Sequence, residues 1–130
     1  MALATSVKKR PKHLDLTKIR LPLPGLVSIL HRVSGAALFL IGIPFLLWVL
    51  NCSLASQMGF DGWREAFNQP LVKLFLIGFL WAYLHHFCAG LRYLALDIHK
   101  GVSLPAARAT SKIVLIVSIA LTLIIGVWLW

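Results

Sequence analysis

The sequence predicts an all-α membrane protein with three transmembrane helices and a cytoplasmic N-terminus. Three observations lead there. Hydrophobic residues make up 59% of the chain and charged residues 13%, with a mean hydropathy of +0.85; a soluble domain sits nearer roughly 45–50% apolar. Three apolar runs approach the roughly 20 residues that a span needs. They are 33–50, which has no charge, 71–96, interrupted by Lys73, His85, His86 and Arg92, and 113–130. Finally, eleven of the thirteen Lys and Arg lie within 1–32 and 92–112, whereas 51–73 holds Arg64 and Lys73 beside Asp61 and Glu65. That bias puts the N-terminus and the second connection in the cytoplasm. The net charge of +9 therefore reads as membrane topology and not as nucleic-acid binding. Trp48, Trp63, Trp128 and Trp130 then fall at the outer interface, as an aromatic belt.

Residues 1–25 form a basic tail in which Pro11, Pro22 and Pro24 prevent a continuous helix. Two readings stay open for it, attraction to anionic lipid and docking of a soluble cytoplasmic partner. The tail lacks the apolar core of a signal peptide, and Pro11 and Asp15 interrupt any amphipathic transit helix, which favours a bacterial inner-membrane protein. Residues 26–130 make a single three-helix domain, with helices over about 26–50, 71–97 and 113–130.

In the first helix Ser28, His31, Arg32 and Gly35 share one stripe at spacings of three and four. A fixed cation one turn inside the cytoplasmic boundary suits an anion or a polar headgroup: a propionate, a lipid phosphate or a quinone carbonyl. A snorkelling arginine beside a capping serine is the plainer reading. Pro44 is expected to kink the outer half, freeing a carbonyl near Leu40 for a neighbouring helix or a water. The outer connection, 51–70, carries no metal-ligand spacing and no nucleophile–base pattern. Phe60, Trp63 and Phe67 there suit an interfacial half-turn. Cys52, at the outer end, and Cys88, mid-membrane, form no plausible pair.

The second helix carries the chemistry. Ionisable groups within a span are costly and are functional candidates by default. At roughly 100° per residue, His86, Gly90, Tyr93 and Asp97 fall within about 60° of one another, while His85 points about 100° away with Trp81, Ala89 and Arg92. Small residues above and below His86 let something flat approach the backbone. A haem with His86 as one axial ligand fits, and so does a helix-packing groove holding a hydrogen-bonded histidine. His85 reads as the partner of a backbone carbonyl or a polar group on another helix. Asp97 lies about 16 Å along the helix from His86, at about the expected level of His31 and Arg32.

The connection over 97–112 contains Gly101 and Pro105 as breakers. The third helix repeats Ser118, Thr122 and Gly126 every four residues, a seam for packing. No internal repeat, Walker motif, HExxH or metal quartet is present.

RPKHLDL at 10–16, SILHRVSG at 28–35 and HFCAGLRYLALD at 86–97, in that order in a chain with three membrane helices, resemble the cytochrome b subunit of bacterial succinate dehydrogenase. The resemblance covers almost the whole chain, and the SxxHRxxG and HxxxGxRxxxxD motifs are specific together. It implies a membrane anchor for a flavoprotein subunit and an iron–sulfur subunit. Its helical bundle is shared with a second small anchor subunit. A haem b lies between the two anchors, and ubiquinone is the substrate. By the same resemblance His86 is an axial ligand and the second anchor supplies the other. His31 and Arg32 contact the haem propionates, Ser28 and Arg32 line the quinone pocket, and Asp97 and Gly90 are supporting positions. Tyr93 stands where members often carry a histidine. No residue set here could abstract hydrogen from a dicarboxylate, so succinate chemistry belongs to the flavoprotein. The alternatives are the anchor of a fumarate reductase, and a small transporter or proton conductor that uses His86, Arg92 and Asp97 without haem.

Overall fold

Two prolines start the first membrane helix. Pro22 is extended, with φ −66° and ψ 153°, and its carbonyl accepts the Gly25 and Leu26 amides at 2.8 and 3.1 Å. Pro24 follows within the first turn, where its missing N–H is no loss. The computed structural model describes residues 19–129. Most of the expected 1–25 tail, and Trp130 of the aromatic belt, lie outside them.

Three helices are long and apolar enough to cross a membrane: Leu23–Ala55, Pro70–Asp97 and Leu104–Leu129. They are called here the first, second and third spans. The second packs against both others, and the first also touches the third. Val27, Ala89 and Val114, one from each span, form the buried core, with Cys88, Tyr93 and Leu115 packed against it. Cys52 and Cys88 are free thiols.

Pro44 is preceded by a change of helix type. The first span widens into a π turn over Leu38–Gly42, closed by the Ile43 amide on the Leu38 carbonyl, directly before the proline. A π turn adds one residue to the helical ring and so relieves the local clash. Gly42 in this turn lies against the second span, where a Cβ would come 2.8 Å from Phe79 Cε1.

The outer connection is a helix and not a half-turn. Ser56 turns extended, ending the first span, and its Oγ accepts the Gly59 amide at 3.0 Å. That N-cap launches the short helix Gln57–Ala66. Trp63 packs edge-on against Trp48 and Phe45, with centroids 4.9 and 5.9 Å apart, and Phe45 meets Phe75 of the second span at 5.9 Å. Trp48 and Trp63 of the expected aromatic belt thus clamp the short helix to the first span, which in turn meets the second through Phe45.

At its cytoplasmic end the second span closes with the His99 amide on the Leu96 carbonyl and the Lys100 amide on that of Ala95, at 2.9 Å each. This is a Schellman cap, with His99 left-handed at φ 60°. The third span begins at Leu104, well before the expected 113. Pro105 was expected to break helix, but in a first turn proline starts one. The seam of Ser118 and Thr122 is buried, each hydroxyl bonded back to its own helix at Leu115 and Ser118. Gly126 faces Ile77 of the second span.

Candidate functional site

His86 lies half-buried where the first and second spans cross, and the first span shapes its surroundings. Its Nδ1 stands 2.9 Å from the His31 carbonyl oxygen. A carbonyl only accepts, so Nδ1 carries the proton and Nε2 keeps its lone pair. The His31 ring stacks on the His86 ring, with centroids 4.2 Å apart and planes 6° from parallel. Ser34, buried beside them, donates its hydroxyl to the same His31 carbonyl at 3.0 Å and lies 3.4 Å from His86 Nδ1. Gly35 makes this closeness possible, because a Cβ there would come 2.6 Å from His86 Cε1.

Outward from His86 runs an apolar cleft of about 580 Å³, lined by Leu38, Gly42, Phe79, Leu80 and Tyr83 among others. Its volume falls within the usual range for a small-molecule or cofactor site, about 300–1,000 Å³. His86 and Tyr83 are its polar lining residues, and His86 alone among them offers a ring nitrogen.

Arg32, next to His31, turns another way. Its Nη2 donates to Ser28 Oγ at 3.1 Å, and the guanidinium is exposed. The structure thus separates the HR pair, with the imidazole on His86 and the guanidinium on Ser28. Level also departs from expectation. The first span starts at Leu23, so His31 lies about 12 Å along it and sits beside His86, not beside Asp97. Asp97 is exposed at the end of the second span, with no hydrogen bond to His31 or Arg32 among the described residues. Gly90 faces His31, and a Cβ there would lie 3.7 Å from His31 Nε2, an ordinary contact. The space beside Gly90 is therefore filled by the histidine of the first span.

His85, about 100° round the helix from His86, is fully buried, with Trp81 stacked 5.4 Å away. Among the described residues neither ring nitrogen makes a well-formed hydrogen bond, and the Val27 backbone, a partner of the expected kind on another helix, lies beside the ring. Arg92, on the same face, is buried and donates from Nε to Thr110 of the third span at 3.1 Å. A conduction line through His86, Arg92 and Asp97 would need these groups together, and Arg92 lies on a different face from the other two. Tyr93 lies between the two sides, its ring 5.1 Å from His31 and 5.3 Å beneath the Arg92 guanidinium carbon.

Sequence reasoning singled out His86, His31, Arg32 and Ser28, and did not single out Ser34 or bring Gly35 to the site. Both follow directly on the HR pair. The signal available was a small residue followed by glycine one turn after His31, opposite a histidine on another span.

A family model described as the succinate dehydrogenase/fumarate reductase transmembrane subunit matches residues 6–125. Among curated relatives, the succinate dehydrogenase cytochrome b556 subunit of Coxiella burnetii is 37% identical over 123 residues, which is 94% of this chain and 98% of that protein. The subunit of the same name from Rickettsia typhi is 33% identical over 119 residues, 92% of each chain. That from Paracoccus denitrificans is 31% identical over 115 residues, 88% of each. With three membrane-crossing helices, these matches make the protein a multi-pass component of the bacterial inner membrane. The chain belongs to the family of succinate dehydrogenase/fumarate reductase transmembrane subunits.

Proposed function

We propose that this chain is the cytochrome b anchor of a succinate:ubiquinone oxidoreductase, holding one side of a haem b through His86 and contributing Ser28 and Arg32 to the quinone site. One observation carries the haem reading. His86 is a histidine whose Nδ1 proton is tied to a backbone carbonyl, at the inner end of a large apolar cleft. That is the arrangement of a ligating imidazole, whose outer nitrogen is fixed by a second partner so that the other faces the metal. Among the described residues there is no group of three or more His, Cys, Asp or Glu that could hold a metal ion. Haem iron does not need such a group, because the porphyrin supplies four donors and the protein one or two.

The remaining residues take supporting roles. Haem b, when bound, supplies a one-electron redox centre. His31, stacked on His86, and the exposed Arg32 are the groups that would meet its propionates. His86 would be one ligand, with the His31 ring stacked on it, and a second small anchor subunit would supply the other histidine. Arg32 and Ser28 are already bonded to each other at 3.1 Å. The exposed guanidinium can stabilise negative charge developing on a quinone oxygen, while the serine hydroxyl donates to or accepts from the ring. Flavoprotein and iron–sulfur subunits supply the succinate chemistry and the electrons, and lipid and the second anchor cover the apolar outer faces. The names of the relatives favour succinate oxidation over fumarate reduction.

The test is a visible spectrum of the detergent-extracted complex before and after succinate. A Soret band that shifts on reduction, present in wild type and His85→Ala but lost or displaced in His86→Ala, is the expected result. Equal losses in both variants, or no Soret band in wild type, would overturn the assignment. Rates of succinate oxidation and fumarate reduction in the same membranes decide the direction.

A further inference from the structure

Ser34 is absent from the roles above, yet it sits at the centre of the site. It is a buried hydroxyl, 5% exposed, and its geometry with His86 is specific. The His31 carbonyl receives the Ser34 hydroxyl at 3.0 Å and His86 Nδ1–H at 2.9 Å, and the Ser34 oxygen itself lies 3.4 Å from Nδ1. His31 is interior to its helix, so the same oxygen also faces the amide one turn ahead. Three donors therefore converge on an oxygen with two lone pairs, and each weakens the others.

We propose that Ser34 is a positioning residue that sets the donor strength of His86, by competing with its Nδ1–H for the His31 carbonyl. This rests on the reading of His86 as a haem ligand. The stronger the hydrogen bond from Nδ1–H, the more imidazolate character the ring acquires and the better it donates through Nε2. A stronger donor favours the ferric state and lowers the potential, since second-shell hydrogen bonding is one of the levers on haem potential. By holding part of the carbonyl, Ser34 keeps His86 a moderate donor and the haem potential higher. The hydroxyl also limits rotation of the imidazole about the crossing point, where Gly35 leaves no slack.

The experiment is a redox titration of the haem band in the full complex, with the electron paramagnetic resonance spectrum of the oxidised haem as a second readout. Ser34→Thr and Ser34→Val have the same shape and differ in the hydroxyl, so their comparison separates the hydrogen bond from packing. The expected result is a wild-type-like midpoint in Ser34→Thr, and a midpoint shifted negative with altered g-values in Ser34→Val and Ser34→Ala. Loss of haem from Val and Ala but not from Thr would overturn the competition, because freeing the carbonyl should hold His86 more firmly as a donor. Equal midpoints in Thr and Val, or a positive shift on losing the hydroxyl, would overturn the proposal while leaving His86 as ligand. A wild-type complex without haem would overturn both.

Discussion

Gly35 and Gly90 flank the same pair of rings, and at the residue scale they do different work. A Cβ at Gly35 would stand 2.6 Å from His86 Cε1, a distance that real contacts do not reach, and His86 is tied to the His31 carbonyl and cannot drift freely. At Gly90 the added carbon would meet His31 Nε2 at 3.7 Å, in ordinary van der Waals contact. Gly35→Ala should therefore displace the His86 ring and cut haem content several-fold, while Gly90→Ala retains most of it. Haem per milligram of purified complex, measured as the pyridine haemochrome, checks both. The spacing of His86, Gly90, Tyr93 and Asp97 was readable because a helix fixes which of its own residues share a face. Nothing in that rule tells how one helix is rotated against the next. For this reason Gly90 looked like the space-maker, while Ser34 and Gly35, which meet His86 across the crossing, went unassigned.

Among the elements, the short helix Gln57–Ala66 depends on local chemistry that the sequence carried but hydropathy did not reveal. Its charged residues, Asp61, Arg64 and Glu65, hide an aromatic face made by Trp63 and continued by Phe67. Ser56 caps it, so Ser56→Ala should cost about 1 kcal/mol of local stability. Gly59→Ala should cost far more, because a Cβ there collides with the Cys52 carbonyl, which is backbone and cannot rotate away. Hydrogen exchange over residues 57–66 should rise modestly in the first variant and approach full exposure in the second. His99 gives a prediction of the opposite sign. It holds the left-handed position of a Schellman cap at φ 60°, where glycine has no Cβ penalty. His99→Gly should thus slow exchange at the end of the second span, by up to about 1 kcal/mol of local stability. The same logic explains the early start of the third span. Pro105 stops a helix that reaches it from behind and starts one that begins there, and composition alone does not say which side the helix lies on.

For the molecule as a whole, the charge asymmetry and the site make one joint claim about orientation. His31, Arg32 and Ser28 lie toward the end of the bundle that also carries Arg20, Lys100 and Arg108, while the aromatic clamp of Trp48, Trp63 and Phe45 marks the other end. If positive charge is retained in the cytoplasm, the pair proposed to face the quinone opens toward the side where soluble electron donors would dock. The short helix then faces the periplasm. Single cysteines test this in a Cys52→Ser, Cys88→Ala background. A cysteine at Gln57 should react with a membrane-impermeant maleimide in intact cells, and one at Lys100 only after permeabilisation. Both positions are exposed on this chain, and labelling of the Lys100 position after permeabilisation separates sidedness from cover by a docked subunit. The reverse pattern would put Arg32 and Ser28 on the side away from a cytoplasmic iron–sulfur partner. The proposed electron route would then have no donor within reach, even with haem still bound at His86.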